Sequence, residues 1–393
     1  MRWFRTLPGC LVGLLVLPGS RLSTHAQSRV ITPKPPVRSA KAARPYIGYH
    51  RYRGTVGGRP VLLELTVDST ETYPRKDLRC RGSYFYERLA GGDLQLKAAE
   101  PYRAQQPLRL TEGPGGTWQA TQPLGPVLTG TWTGLTGRRL PFALHEDYQD
   151  AVRYEFVTHK AKGNACSNAA GDMLLAAWYP YARFTQQFLH LLGPDTLRPA
   201  LRRLQCPPPA RRRTLVRAAA HHTTRDCTDA DKSIKISLNA YGLLALEEGE
   251  YVNEYNGTRP HAESHRRLYD LRTGRWLSLE DIVRPEAASL PLLGQLVGRH
   301  LLTDYGTSVD ARRRQDITWQ EGDSTRVALP RTDIAFTSQG IVLSYDPYEP
   351  NGWAEVSISY LELLPLLRPG TPVARMMHQR GLWPADSSAG SKR

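Results

Sequence analysis

The chain has 393 residues, of which 40% are hydrophobic and 23% charged, an ordinary globular composition that excludes a wholly disordered chain, a collagen and a polytopic membrane protein. Lys plus Arg number 52 against 37 Asp plus Glu, a formal charge of +15. That charge points first to an anionic partner such as nucleic acid, an acidic polymer or a membrane surface.

Met1 to Arg5 carries two arginines, Leu7 to Leu17 is apolar but broken by Pro8, Gly9 and Gly13, and Thr24-His25-Ala26 offers small residues before Gln27. This is the pattern of a secretory signal peptide over 1–26. The apolar run is shorter than the roughly 20 residues a spanning helix needs, and no later stretch supplies one, so the mature chain is expected to have no transmembrane segment. Export, to the periplasm or beyond, removes the nucleic-acid reading. It also leaves Cys80, Cys166, Cys206 and Cys227 in an oxidising compartment, where disulfides can form. A bridge among Cys166, Cys206 and Cys227 is favoured because they flank one segment; free buried thiols are the alternative.

Residues 27–45 hold four prolines, five basic residues and no acid, and read as a disordered basic linker. From 46 to 149 short alternating runs recur: Val61–Val67, Gly82–Tyr86, Leu94–Ala98, Leu108–Thr111, Thr117–Ala120, Val127–Trp132 and Leu140–Leu144. Glycine-rich turns separate them, which predicts a small all-β antiparallel meander domain, sandwich or barrel. Met173 to Leu192 has apolar residues at helical spacing around Pro180, which would break one long helix, so two helices or a strand and a helix are expected. Gln205 to Arg213, with three prolines and three arginines, reads as a loop or extended excursion. Ser233–Leu238 and Gly242–Glu247 are strand candidates. Leu290–Leu302 is the clearest amphipathic helix, with Ser289 as its N-cap. Ile334–Phe336, Gly340–Tyr345 and Ala354–Ile358 are strands, and Tyr360–Leu367 is a short helix. The polar, basic residues 371–393 read as a mobile tail.

Catalytic signatures are sparse. His145-Glu146-Asp147-Tyr148-Gln149 starts like a zinc-protease motif but has Gln149 in place of the second histidine. His261 and His265 have the right spacing, but Ala262 stands where the glutamate belongs, and a shared metal needs that spacing on a helix. Glu247-Glu248 and Asp346 with Glu349 read as acidic turns. No nucleophile elbow, P-loop or dinucleotide fingerprint is present, so no cofactor and no metal are expected.

Three patterns occur in order: Ile236-Ser237-Leu238-Asn239-Ala240-Tyr241-Gly242 running on to Glu247; then Glu254-Tyr255-Asn256-Gly257, His261 and Leu268-Tyr269-Asp270-Leu271-Arg272-Thr273-Gly274-Arg275-Trp276 up to Ile282; then Phe336 to Pro350 followed by Ala354 to Leu363. Together they resemble the RsiV-like extracytoplasmic domain. That family includes the lysozyme-sensing ectodomain of the sigma-V anti-sigma factor and accessory regions of a peptidoglycan deacetylase. The resemblance covers about 150–370. It implies an α+β C-terminal domain, with a mixed or antiparallel sheet and packed helices, and a binding surface rather than an activity.

The expected function is therefore that of an exported, non-catalytic protein of the bacterial envelope. It would bind a cell-wall polymer or a wall-acting protein such as a lysozyme. The rival is an uncharacterised hydrolase of wall glycan or peptide. The binding candidates are Tyr345, Asp346, Tyr348, Glu349 and Trp353, where a Pro-fixed turn presents aromatics, with His261 and Asn256. The competing reading packs these aromatics against the sheet edge. Charge is uneven: residues 151–230 carry a net +7 and residues 231–370 a net −5. The acidic later part leaves a basic partner open.

Overall fold

Strict alternation organises the amino-terminal strands. In β2 (Arg59–Ser69), Val61, Leu63, Leu65 and Val67 turn into one core, while Leu62 turns outward into another, as a period of two requires. The computed structural model describes residues 46–69, 78–98, 102–113, 115–165, 181–193, 199–223, 228–254, 261–286, 288–305, 329–330, 334–345 and 354–384. β1 (Gly48–Val56), β2, β3 (Leu78–Tyr86), β4 (Leu94–Ala98), β5 (Arg109–Glu112), β6 (Thr117–Ala120), β7 (Val127–Thr133) and β8 (Arg139–Glu146) form a closed antiparallel barrel. The seam runs from Tyr52 opposite Glu146 to Val56 opposite Phe142. At Gly54 a Cβ would lie 2.1 Å from the Ala143 carbonyl oxygen, so the seam closes only with glycine there. Trp118, Tyr84, Tyr52 and Phe142 fill the interior, with the Trp118 ring 4.8 Å from Tyr84 and 5.0 Å from Phe142.

Next in the chain is a six-stranded sheet, in the order β14 (Arg275–Leu277), β13 (His261–Asp270), β12 (Leu243–Glu254), β11 (Thr228–Ala240), β10 (Tyr181–Leu192), β9 (Arg153–Ala165). All its pairings are antiparallel except β10–β11. A parallel pair needs a long crossover, and here the crossover contains a 3-10 turn (Pro199–Leu201) and helix α1 (Pro209–Thr223). In β11 the register shifts between Ile236 and Leu238. Ile234 and Ile236 therefore pack on the core around Tyr154 and Leu244, whereas Leu238 and Ala240 join the core around Leu243 and Val297. One extra residue thus lets one strand serve two cores. Gly274 has φ +66°, and a Cβ on it would meet the Ala200 carbonyl oxygen at 1.8 Å, so the expected tight turn also seats the crossover.

The carboxy-terminal part comprises α2 (Leu279–Ile282), α3 (Ser289–Tyr305), the three-stranded sheet β15 (Ile334–Phe336), β16 (Gly340–Tyr345), β17 (Ala354–Ser359), α4 (Tyr360–Leu363) and α5 (Pro372–Gln379). Its apolar residues share a core with Leu62 and Phe85 of the barrel. Arg380, 1% exposed, donates from Nε to the Glu87 carbonyl and from Nη2 to the Leu89 carbonyl, both at 2.9 Å, and also to the Ser338 carbonyl. Its guanidinium lies 5.2 Å from the Phe85 ring centre.

Several expectations are corrected by this architecture. The α+β domain preceded by a small meander is overturned: the first strands close into an eight-stranded barrel, and strands also dominate the described residues after it. Within the stretch read at helical spacing, Tyr181–Leu192 is a strand. Phe184, Phe188, Leu189 and Leu191 are buried on both of its faces, and a strand covered on both sides loses the alternation that would reveal it. The excursion read at 205–213 enters α1, a helix with no acidic residue and only Val216 and Ala220 fully buried, so it carries no apolar stripe. Residues 371–384 are no mobile tail, because Val373, Ala374, Met376 and Met377 are buried. Among the described residues, Cys80 and Cys206 are free thiols; Cys166 and Cys227 lie outside them.

Candidate functional site

β10 and β11 pair in parallel only from Phe184–Ala230 to Gln186–Lys232. Beyond that point they diverge, and the Gln187 side-chain oxygen replaces the missing backbone acceptor by taking the Ile234 N–H at 3.0 Å. A buried backbone donor needs a partner, and the side chain supplies it. The divergence opens a groove of about 390 Å³, within the size range of small-molecule sites.

Cross-strand register builds its floor. Lys232 lies opposite Glu250, and Glu250 opposite Glu263; Ile234 lies opposite Glu248, and Glu248 opposite His265; Leu246 lies opposite Arg267. Residues directly opposite project to one face. Lys232 Nζ lies 2.8 Å from Glu250, and Arg267 Nη1 lies 3.3 Å from Glu248. The floor is thus polar, with two cations among three carboxylates and with Ile234 and Leu246 as its apolar part. The rim runs from Arg203 to Pro207. Gln205 pins it by accepting the Leu191 N–H at 2.8 Å, and Cys206 N–H donates to the Leu189 carbonyl at 3.0 Å. Arg212 of α1 donates to the Cys206 sulfur and to the Pro207 carbonyl, at 2.9 and 3.0 Å.

A second polar cluster closes one end of the barrel. Glu146 accepts from the Tyr46 hydroxyl, from Tyr148 at 2.7 Å and from His50 Nδ1 at 3.1 Å. Burial raises its proton affinity, but these three donors outweigh burial and hold its carboxyl below the usual range. Burial lowers the His50 pKa. The His50 ring is 1% exposed and stacked at 3.9 Å beneath Tyr46. This cluster satisfies a charge at a filled barrel end.

The residues singled out from sequence fall elsewhere. Asn256, Asp346, Tyr348, Glu349 and Trp353 lie outside the described residues. Tyr345 ends β16 opposite Ala354, and His261 opens β13 opposite Val252; the side chains of both also lie outside them. Because β13 is a strand, His261 and His265 are about 13 Å apart along it, too far to share a metal. Among the described residues no group of three His, Cys, Asp or Glu is placed to hold one. Glu247 and Glu248, read as a turn, lie within β12 and point to opposite faces, and only Glu248 faces the groove. The signal available in the sequence was the period-two run Glu263-x-His265-x-Arg267-x-Tyr269.

No protein-family model matches the chain, and no curated protein matches it. Solved structures that resemble it include two DUF3298 family proteins. One, from Bacteroides fragilis, has 15% identity and a TM-score of 0.43, covering 59% of this chain and 100% of its own. The other, from Pseudomonas aeruginosa, has 18% identity and a TM-score of 0.40, covering 61% of this chain and 100% of its own. Among the described residues no helix is long and apolar enough to cross a membrane.

Proposed function

We propose that this chain is an exported, non-catalytic protein of the bacterial envelope that binds a cell-wall component or a wall-acting protein through the groove over β10–β13. The observation that carries this reading is the ion-paired floor, Lys232 with Glu250 and Arg267 with Glu248. It lies in a groove opened by strand divergence and held open by the pinned rim. Cation and carboxylate alternating over a few ångströms match a ligand that itself carries both charges, as a wall peptide or a protein surface does. Apolar Ile234 and Leu246 offer contact area between the charges. The resemblance to the RsiV-like domain covers about 150–370, the strands of this groove among them, and supports binding rather than catalysis. The net −5 of residues 231–370 favours a basic protein such as a lysozyme among the protein partners.

The test is binding of the full chain to purified peptidoglycan and, separately, to lysozyme. It compares the natural chain with a charge-neutralised Glu248→Gln/Glu250→Gln variant. The expected result is binding to one of the two and a loss of about tenfold or more in the variant, with an unchanged unfolding midpoint. Failure to bind either, or equal binding by the variant, overturns the groove. Release of soluble wall fragments overturns the non-catalytic part. Export is checked by the intact mass of the secreted product, expected to begin at Gln27.

A further inference from the structure

On the other flank of α1 lies a second space, of about 480 Å³, between the helix and the edge strand β9. The charged and titratable residues lining it are His159, Lys160 and Lys162 from β9 and Arg213, Arg217 and His221 from α1; among the described residues no carboxylate lines it. Arg213, Arg217 and His221 are spaced i, i+4, i+8 and so form one row along the helix, about 12 Å long. Lys160 is shared with Asp231, which feels its charge, and Lys162 lies 5.0 Å from the Tyr181 ring centre. Arg213 and Arg217 are exposed, and no carboxylate among the described residues pairs with them.

The helix itself is a second observation. Four arginines and no acid sit in α1, with Arg211, Arg212 and Arg213 near an amino terminus that has no acidic residue in its first turn. Arg212 is held by bonds to His159, Cys206 and Pro207, but the helix dipole favours the opposite sign there, so fold stability does not account for Arg211 and Arg213. His159 senses the same field. Its proton affinity is lowered first by burial and then by Arg212 and Arg213, and its Nε2 accepts from Arg212 Nε at 3.1 Å.

We propose that the cleft between α1 and β9 binds a polyanion bearing repeated phosphoryl groups. A single phosphate would meet one or two of these cations. A row of three basic residues about 12 Å long, with Lys160 and Lys162 at the open edge of β9 on the other sheet face, matches a ligand whose charges repeat along its length, and guanidinium groups suit phosphoryl oxygens. This site is independent of the groove over β10–β13, and its failure would leave that reading standing.

The experiment titrates the full chain with fluorescently labelled short-chain inorganic polyphosphate. Binding that involves four cations is expected to weaken roughly 100-fold between 50 and 200 mM salt. Arg213→Gln/Arg217→Gln is expected to bind about tenfold more weakly, whereas the charge-matched Arg109→Gln/Arg139→Gln change on the barrel leaves binding within about twofold. The histidine resonances give a readout local to the cleft: His159 is expected to regain proton affinity when polyphosphate is added. Equal loss in both double variants shows attraction by net charge alone and overturns the site, as does an unmoved His159. Binding to vesicles of anionic phospholipid in preference to polyphosphate overturns the choice of ligand.

Discussion

The barrel and the six-stranded sheet are built from the same kind of antiparallel hairpin, yet they differ in what they leave open. The barrel pairs each strand on both sides, and its interior is filled by Trp118, Tyr84, Tyr52 and Phe142. The sheet includes one parallel pairing, and that pairing runs for only three residue pairs before β10 and β11 separate. A closed ladder offers no gap, whereas a strand that enters through a crossover can diverge wherever a side chain takes over the backbone hydrogen bond. Gln187 does this for Ile234. In this molecule the groove opens at the junction between pairing modes rather than in the barrel.

That contrast can be broken at graded strengths. The largest effect is expected from Trp118→Ala, which empties a filled barrel and should cost about 3–5 kcal/mol, read as a lowered denaturation midpoint with an unchanged slope. Arg380→Ala comes next. It leaves the carbonyls of Glu87, Leu89 and Ser338 without their shared donor and should cost about 3 kcal/mol. A cost under about 0.5 kcal/mol would show that the 371–384 segment does not brace the barrel.

A third test concerns Glu64, which accepts from the Tyr49 hydroxyl at 2.8 Å on the barrel's outer face. Burial pushes its carboxyl up to about 7, against the lowering effects of Tyr49 and Arg51. The folded chain therefore holds a proton that the unfolded chain releases. This contribution is fully present below the ordinary glutamate pKa of about 4.3 and is lost as pH rises through about 7, a decline of about 1–3 kcal/mol. Glu64→Gln should flatten that part of the stability profile; a decline of the same size in the variant would assign it to another group. The smallest effect is expected in the groove. Glu248→Gln removes a partner of Arg267 where both side chains are more than 40% exposed, and should change stability by less than about 0.5 kcal/mol. A larger cost would make the floor a structural element rather than a recognition surface.

Leu94–Ala98 and Thr117–Ala120 were legible because one face is buried and the other is not, and Ile334–Phe336 and Gly340–Tyr345, buried on both faces, as short apolar runs; all four appear with the expected bounds. The helix expected at Leu290–Leu302 appears within Ser289–Tyr305. α5 was missed although Thr371 caps it, accepting from Ala374 N–H, and Pro372 opens it. Its basic residues suggested solvent, yet Arg380 is buried against backbone carbonyls. The groove was missed because Lys232, Glu248 and Arg267 are far apart in sequence and meet only through register.

The amino-acid sequence by itself determined the alternation of the strands, the turn at Gly274 and the uneven charge, basic over 151–230 and acidic over 231–370. These are local properties, set by side-chain period, backbone sterics and composition. Only the tertiary structure decided that the first eight strands close on themselves, that β10 runs parallel to β11, and which charges face each other across the groove and the cleft. Those outcomes depend on pairing between distant segments, and a one-residue change of register would move every side chain of a strand to its other face.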